Sequence, residues 1–232
     1  MEMHRHLDTV LSFLKTERPD IICLQEVLER DFSRFERELE MKGRFEPMAL
    51  LASPRFESEV RGLPFGLAIL SRYPTEYRTD YYFGAPGKLP LCIKGDEDNR
   101  ILLSATVLVN GQAFRVGTTH FTWTPDGNAS EAQRADIVHL LAVLDAFPDI
   151  IFCGDFNAPR GREIWKKIAA RYKDNIPPDY TSSVDPLLHR AKDIEVMVDG
   201  LFSTPEYLIS DVRLVEGVSD HKAIVGLIER IK

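Results

Sequence analysis

Seven polar residues stand where apolar runs stop: Glu26 after "DIICLQ", His120 after "RVGTT", Asp155 and Asn157 in "IIFCGDFN", Asp199 in "VMVDGLF", and Asp220 with His221 in "VSDHKAIVG". Taken singly, each has an ordinary explanation. Glu26 suits a surface acid after a strand, and Gly154–Asn157 suits a turn. Asp199-Gly200 suits a bulge, His120 a half-buried histidine with its own partners, and Ser219–His221 a helix cap or turn. Taken together, acids and histidines recurring at one kind of place suit the transfer of a phosphoryl group to water. A divalent cation such as Mg²⁺ prefers a few carboxylate oxygens and keeps room for a phosphate, and Glu26 and Asp220 are the residues to hold it. Asp155 would align or deprotonate the attacking water. Asn157 would steady that water or a phosphoryl oxygen. His120 and His221 would donate hydrogen bonds to the charge that develops on phosphate. Asp199 would fix the tautomer and pose of His221.

The elements that must position these residues are legible in the hydrophobic period. Leu7, Val10, Leu11 and Leu14 make a helical stripe, and Ile137, Leu140, Leu141 and Leu144 repeat it. Each stripe runs into a proline and matching words, "RPDIICLQEV" and "FPDIIFCGDF", with an acid seven residues after the proline. Twice, then, the chain reads helix, proline, buried strand, acid, which places Glu26 and Asp155 at the C-terminal ends of strands, on the same edge of a sheet core, where open α/β sheets put their ligand sites. Between the repeats, Gly66–Leu70 reads as a buried strand. Residues 100–121 read as a hairpin turning at Asn110-Gly111. "GREIWKKIAARY" reads as a helix, Asn175–Pro186 as a loop, "EVMVDGLFS" as a short strand and "VSDHKAIVGLIERI" as a turn into a last strand. Strands outnumber helices, so the expectation is layered α/β, with two sheets packed together and helices outside. No linker divides the 232 residues, which fit one domain.

The chain is 44% hydrophobic and 28% charged, with a formal net charge of −7. That balance disfavours a protein that grips long nucleic acid through a basic surface. Acids clustered at a divalent-cation site would account for part of the excess. No apolar run is long enough to span a bilayer, and the N-terminal stretch does not read as a signal peptide. Cys23, Cys92 and Cys153 have no CxxC spacing and read as free, mostly buried thiols, pointing to the reducing cytoplasm.

The words "DIICLQEV", "GLAILSRYP", "TTHF", "GDFNAP", "VDGLF" and "SDHKAIVG" together resemble the endonuclease/exonuclease/phosphatase superfamily, in its order and over nearly the whole chain. The resemblance implies a DNase I-like four-layer α/β-sandwich and a Mg²⁺- or Mn²⁺-dependent phosphoesterase. The expectation is a monomer whose substrate is a phosphodiester, with DNA among the candidates. It gives Glu26 a metal-ligand role, Asp155 and Asn157 the water and phosphate, Asp199 the orientation of His221, Asp220 a second metal-side carboxylate, His221 the phosphate and His120 the place of second histidine. Members of the superfamily usually open with a short strand bearing an asparagine that supports the metal site. Here the first helix starts almost at once and no asparagine precedes Asn99. The expectation is a single domain over residues 1–232 that lacks this first strand, with the true start upstream. The alternative is a binding or scaffold member with impaired chemistry. A calcineurin-type two-metal phosphatase would need further metal-histidine words that the sequence does not contain.

Substrate contacts are harder to read. Arg55, Arg61, Lys88 and Lys94, with Phe56, Tyr81, Tyr82 and Phe83, mix basic and aromatic side chains in two loop-like stretches that would stack a base and hold a backbone. The competing reading is an ordinary solvated loop with some core aromatics. Trp123 would line the pocket or simply pack. Arg134 would reach the substrate or pair with a surface acid.

Overall fold

Each helical stripe becomes a helix and each apolar run a strand. In chain order these are α1 (Leu7–Glu17), β1 (Ile21–Leu28), α2 (Glu29–Leu39), β2 (Lys42–Leu51), β3 (Pro64–Ser71), β4 (Thr75–Phe83), β5 (Leu91–Cys92), β6 (Arg100–Val109), β7 (Gln112–His120), α3 (Glu131–Leu144), β8 (Ile151–Asp155), α4 (Glu163–Ala169), β9 (Lys173–Asp174), β10 (Asp199–Ser203), β11 (Tyr207–Val215) and β12 (Ala223–Arg230). They come from a computed structural model that describes residues 5–54, 56–93, 97–191 and 193–231. The stripe of α1 buries Leu7, Val10, Leu11 and Leu14, and the helix stops where Arg18 turns left-handed (φ 51°) ahead of Pro19. The Asn110-Gly111 pair takes positive φ at both positions, 51° and 80°, as a tight two-residue hairpin turn between β6 and β7 requires.

The strands form a four-stranded sheet in the order β1-β3-β2-β5, a six-stranded sheet in the order β4-β6-β7-β8-β10-β9, and the pair β11-β12. Alternation along β3 shows how the layers stack. Ala68 and Leu70 meet α1 and α2, where Val10, Leu11, Phe35 and Leu39 pack. Leu67 and Ile69 face the other way, against Ile101, Leu103, Ala105 and Val107 of β6. Leu102, on the opposite face of β6, joins Ile137, Leu140 and Leu144 of α3 and Ile164 and Ile168 of α4. Helices, sheet, sheet and helices therefore make four layers. A strand buried on both faces has no polar face to show, so "GLAIL" is apolar throughout rather than alternating. The β11-β12 pair closes the same core with Tyr207 and Ile209. Among the described residues, β1 pairs only with β3 and β12 only with β11. No described helix is long and apolar enough to cross a membrane.

Two expectations change. Glu26 does not stand at the C-terminal end of its strand but inside β1, where the pairing with β3 slips between Leu24 and Val27. Nor do Glu26 and Asp155 share a sheet edge, since β1 and β8 lie in different sheets and the acids meet across the sandwich.

Candidate functional site

The register of the six-stranded sheet brings three of the polar residues into a row. His120 is paired with Asp155 across the parallel β7-β8 ladder, and Asp155 with Asp199 across the antiparallel β8-β10 ladder. Neighbouring strands lie about 5 Å apart, so paired side chains can share one ligand. The approach of β8 to β7 demands a glycine before the acid. Gly154 has φ 149°, and a Cβ there would sit 1.9 Å from the carbonyl oxygen of Thr119. Beyond the strand, the N–H of Asn157 donates to Asp155 Oδ1 at 2.7 Å, and Asn157 itself is left-handed (φ 48°). "GDFN" is thus both a turn and the mount of the acid.

Glu26 arrives from the other sheet by a bulge. It has φ 54°, an uncommon conformation for a side-chain-bearing residue and one that recurs at functional sites. The bulge re-aims two neighbours. Gln25 donates to Thr118 Oγ1 at 2.8 Å, bridging the sheets, and Glu26 Oε1 lies 4.0 Å from His120 Nε2. Asp155 Oδ2 is 3.7 Å from the same nitrogen.

Asp220 and His221 come from the loop before β12, tied to Ser182–Arg190 by a network of its own. Val184 bridges His221, the Asp185 N–H donates to the Asp220 carbonyl at 2.9 Å, and the Asp185 carboxylate accepts from the Gly217 N–H at 2.7 Å. His221 Nδ1 is 2.7 Å from Asp199 Oδ2. The carboxylate fixes the ring and leaves Nε2 as the other nitrogen. Gln25, Glu26, His120, Asp155, Asp199, Asp220 and His221 line one open cleft.

Charge in the cleft is unevenly held. Burial, then the Asp199 carboxylate, pushes Asp155 up to about 7. His221 moves the opposite way to a buried imidazole. Burial opposes its charge, but the Asp199 carboxylate, with Asp155 and Asp220 behind it, raises it to about 10. His120 is driven well below its ordinary value, first by burial and then by the Arg100 guanidinium, so it is neutral. Its Nδ1 is buried without a hydrogen-bond partner among the described residues. For Asp220, burial is outweighed by the positive charge around it, including the imidazoles of His221, His6 and His189, and its carboxyl titrates below the usual range.

Glu26, His120, Asp155, Asp199, Asp220 and His221 are therefore brought together. Three other expected contacts are not among the cleft's lining residues. Asn157 Nδ2 donates to the carbonyl of Phe121 at 2.9 Å, tying the turn after β8 to the end of β7. Arg134 is held by Glu163 in a two-pronged contact at 3.0 Å and by Glu131, the surface pairing rather than a substrate contact. Trp123 is 46% exposed and lies outside the lining residues. Of the two loops, Tyr82 is core: it stacks on Phe121 and hydrogen-bonds Thr119 at 2.8 Å. Phe56 packs with Val60 and Cys92, while Arg61, Lys88 and Phe83 are exposed. Arg55 and Lys94 lie outside the described residues.

Sequence reasoning passed over Gln25, although the break in alternation at "LQEV" marks the bulge that places it. His189 was also missed. Its ring lies 6.0 Å from that of His221, and 32 residues separate them, so spacing gives no signal.

The fold recurs among solved structures. An endonuclease/exonuclease/phosphatase from Bacteroides vulgatus is 20% identical with a TM-score of 0.69, covering 97% of this chain and 90% of its own. The human nocturnin catalytic domain, solved with a bound sulfate anion, is 20% identical with a TM-score of 0.72, covering 98% and 86%. A mannosyl-6-phosphatase from Bacteroides thetaiotaomicron is 12% identical with a TM-score of 0.66, covering 97% and 91%. No curated protein sequence matches the chain significantly. The Endonuclease/Exonuclease/phosphatase family profile matches residues 1–221, and the chain belongs to that family of phosphoesterases.

Proposed function

We propose that the chain hydrolyses a phosphodiester with the help of Mg²⁺ or Mn²⁺. The observation that carries this reading is the meeting of Glu26, Asp155, Asp199, Asp220, His120 and His221 in one cleft, from two sheets and a loop. The donor set fits such a cation. It is rich in carboxylate oxygen, and the rise of Asp155 to about 7 expresses, after burial, the mutual repulsion of neighbouring carboxylates that a cation relieves. Glu26 and Asp220 would hold it. Bound there, the cation supplies charge against the phosphoryl oxygens as they become more negative.

The chain's own groups do the rest. Asn157 holds Asp155 Oδ1, leaving Oδ2 to orient a water and take its proton, and a carboxyl near 7 is matched to that task at neutral pH. His221, kept charged and oriented by Asp199, donates from Nε2 to a phosphoryl oxygen. His120 stands as a neutral donor beside Glu26 and Asp155. The thiols of Cys23, Cys92 and Cys153 are free, which suits a reducing compartment.

The test is hydrolysis of bis(p-nitrophenyl) phosphate in Mg²⁺ or Mn²⁺, with p-nitrophenyl phosphate beside it. The diester is expected to turn over faster. Asp155→Ala is expected to lower the rate at least about a hundredfold with the circular dichroism spectrum unchanged. Full activity in that variant would overturn the assignment. A preference for the monoester would make the chain a phosphatase with the same machinery.

A further inference from the structure

Two of the three free thiols face each other across the sandwich, and neither takes part in the hydrolysis just described. Side chains alternate along β1, so Leu24 packs among the helices while Cys23 packs inward, between the sheets. Gln25 points the same way as Cys23 and donates to Thr118 Oγ1 of β7 at 2.8 Å. Thr118 is the register partner of Cys153 on β8. The sheets therefore meet here through Cys23 and Gln25 on one side and Thr118 and Cys153 on the other. Packed sheets usually lie about 10 Å apart. Residues of β1 come within 8 Å of residues of β7 and β8, Cα to Cα.

The two sulfurs are hydrogen-bonded to each other. The Cys23 S–H donates to the Cys153 sulfur, which raises the Cys23 thiol and lowers that of Cys153, and the Thr118 hydroxyl supports the Cys153 sulfur as a second donor. The thiolate is the reactive form of a cysteine, so Cys153 is the nucleophile of the pair. Both residues are half-buried, whereas Cys92 is buried in β5 in a cluster with Leu51 and Val60.

We propose that Cys23 and Cys153 form a redox site, at which a peroxide makes a disulfide that pins β1 to β8 beneath the cleft and slows its chemistry. The Cys153 sulfur attacks one peroxide oxygen and the O–O bond breaks. A sulfenic acid forms, and the released hydroxide takes up the thiol proton as water. The Cys23 sulfur then attacks the sulfenic sulfur, the S–S bond forms, the S–O bond breaks and a second water leaves. The pair gives up two hydrogens and two electrons, which reduce the peroxide. A dithiol reductant reverses the bond by exchange. Cys23 lies three residues before Glu26, and Cys153 two before Asp155. Closing from a hydrogen bond to an S–S bond of about 2 Å draws the strands together by on the order of 1 Å at the base of both acids. A misplacement of about 1 Å at reacting groups costs about a hundredfold in rate. The link stands on the thiols alone, and its effect on turnover rests on the hydrolysis reading.

The test treats the fully reduced chain with hydrogen peroxide and blocks the remaining thiols. Peptides are then mapped by mass spectrometry, beside the rate on bis(p-nitrophenyl) phosphate. The expected product is a link between Cys23 and Cys153 with Cys92 still a free thiol, and a rate at least about tenfold lower. Dithiothreitol is expected to reverse both. Cys92→Ser is expected to behave as the wild type does. Cys153→Ser, which leaves only the less reactive Cys23 of the pair, is expected to form no link and to keep its rate. Cys23→Ser gives the same comparison of links should that variant fail to fold. Thiols that survive the treatment, or a Cys153 oxidised without a link to Cys23, would overturn the site, as would a link through Cys92. A Cys23–Cys153 link with the rate unchanged would overturn the effect on the cleft. If the reduced chain has no activity, the hydrolysis reading fails while the peptide map still decides the link.

Discussion

The pairing of His221 with Asp199 is the most tightly specified contact in the cleft, and it gives Asp199 two separable effects. The carboxylate holds the ring in one pose, and it accounts for most of the rise of His221 to about 10. Asp199→Asn keeps a hydrogen-bonding group of the same shape and removes the charge. The expected outcome is a fall in kcat of about a hundredfold or more, together with a drop in the His221 pKa toward the ordinary histidine range, read from ring shifts in a proton-nitrogen NMR titration. An unmoved His221 titration would show that burial and the other acids set its charge. At this scale the sequence was legible wherever a residue's role follows from its own strand. His120, Asp155 and Asp199 are register partners on adjacent strands, and each announced itself at the edge of an apolar run. The type of Asn157 suits both a phosphate contact and a backbone clasp, and the fold shows the clasp.

At the scale of elements, identical words had unlike fates. "PDII" opens both β1 and β8, yet Asp20 is exposed while Asp149 is buried and holds together pieces far apart in the chain. Asp149 accepts from Arg115 of β7 at 2.8 Å, from Arg230 of β12 at 2.8 Å and from the Tyr207 hydroxyl of β11. It thereby fastens the β11-β12 pair to the six-stranded sheet. No local pattern marks this, because the partners lie 34 to 81 residues away. Burial alone would push the Asp149 carboxyl up, but the hydrogen bonds from Tyr207, Arg230 and Arg115 outweigh it and hold the group below its ordinary value. A carboxyl depressed in the folded state stabilises fully above its unfolded pKa of about 4, and the contribution is lost as pH falls through the folded value. Asp149→Asn is therefore expected to cost about 2 kcal/mol at pH 7 by urea unfolding, with the gap to wild type narrowing below about pH 4. A gap that stays constant into acid would mean that the network works through shape rather than charge.

For the whole molecule, the four layers were legible because they follow from counting apolar faces. The crossing of the sandwich by Glu26 was not, since a bulge leaves only a one-residue slip in the pattern. The global charge also bears on what can reach the cleft. The chain carries −7, and the cleft is itself lined by Glu26, Asp155, Asp199 and Asp220 against two histidines. Of the basic residues expected at a nucleic-acid rim, Arg61 and Lys88 are exposed among the described residues. A polyanion approaching such a surface meets repulsion that salt screens, over a Debye length of about 10 Å at 0.1 M. A basic nucleic-acid enzyme behaves in the opposite way and loses affinity steeply as salt rises. With saturating Mg²⁺, kcat/KM for long single-stranded DNA is expected to hold or climb between about 20 and about 200 mM monovalent salt, and that for a singly charged diester to stay flat. A steep fall for DNA alone would mean that a basic track outside the cleft captures the strand against the molecule's net field, and nucleic acid would then become the favoured substrate class.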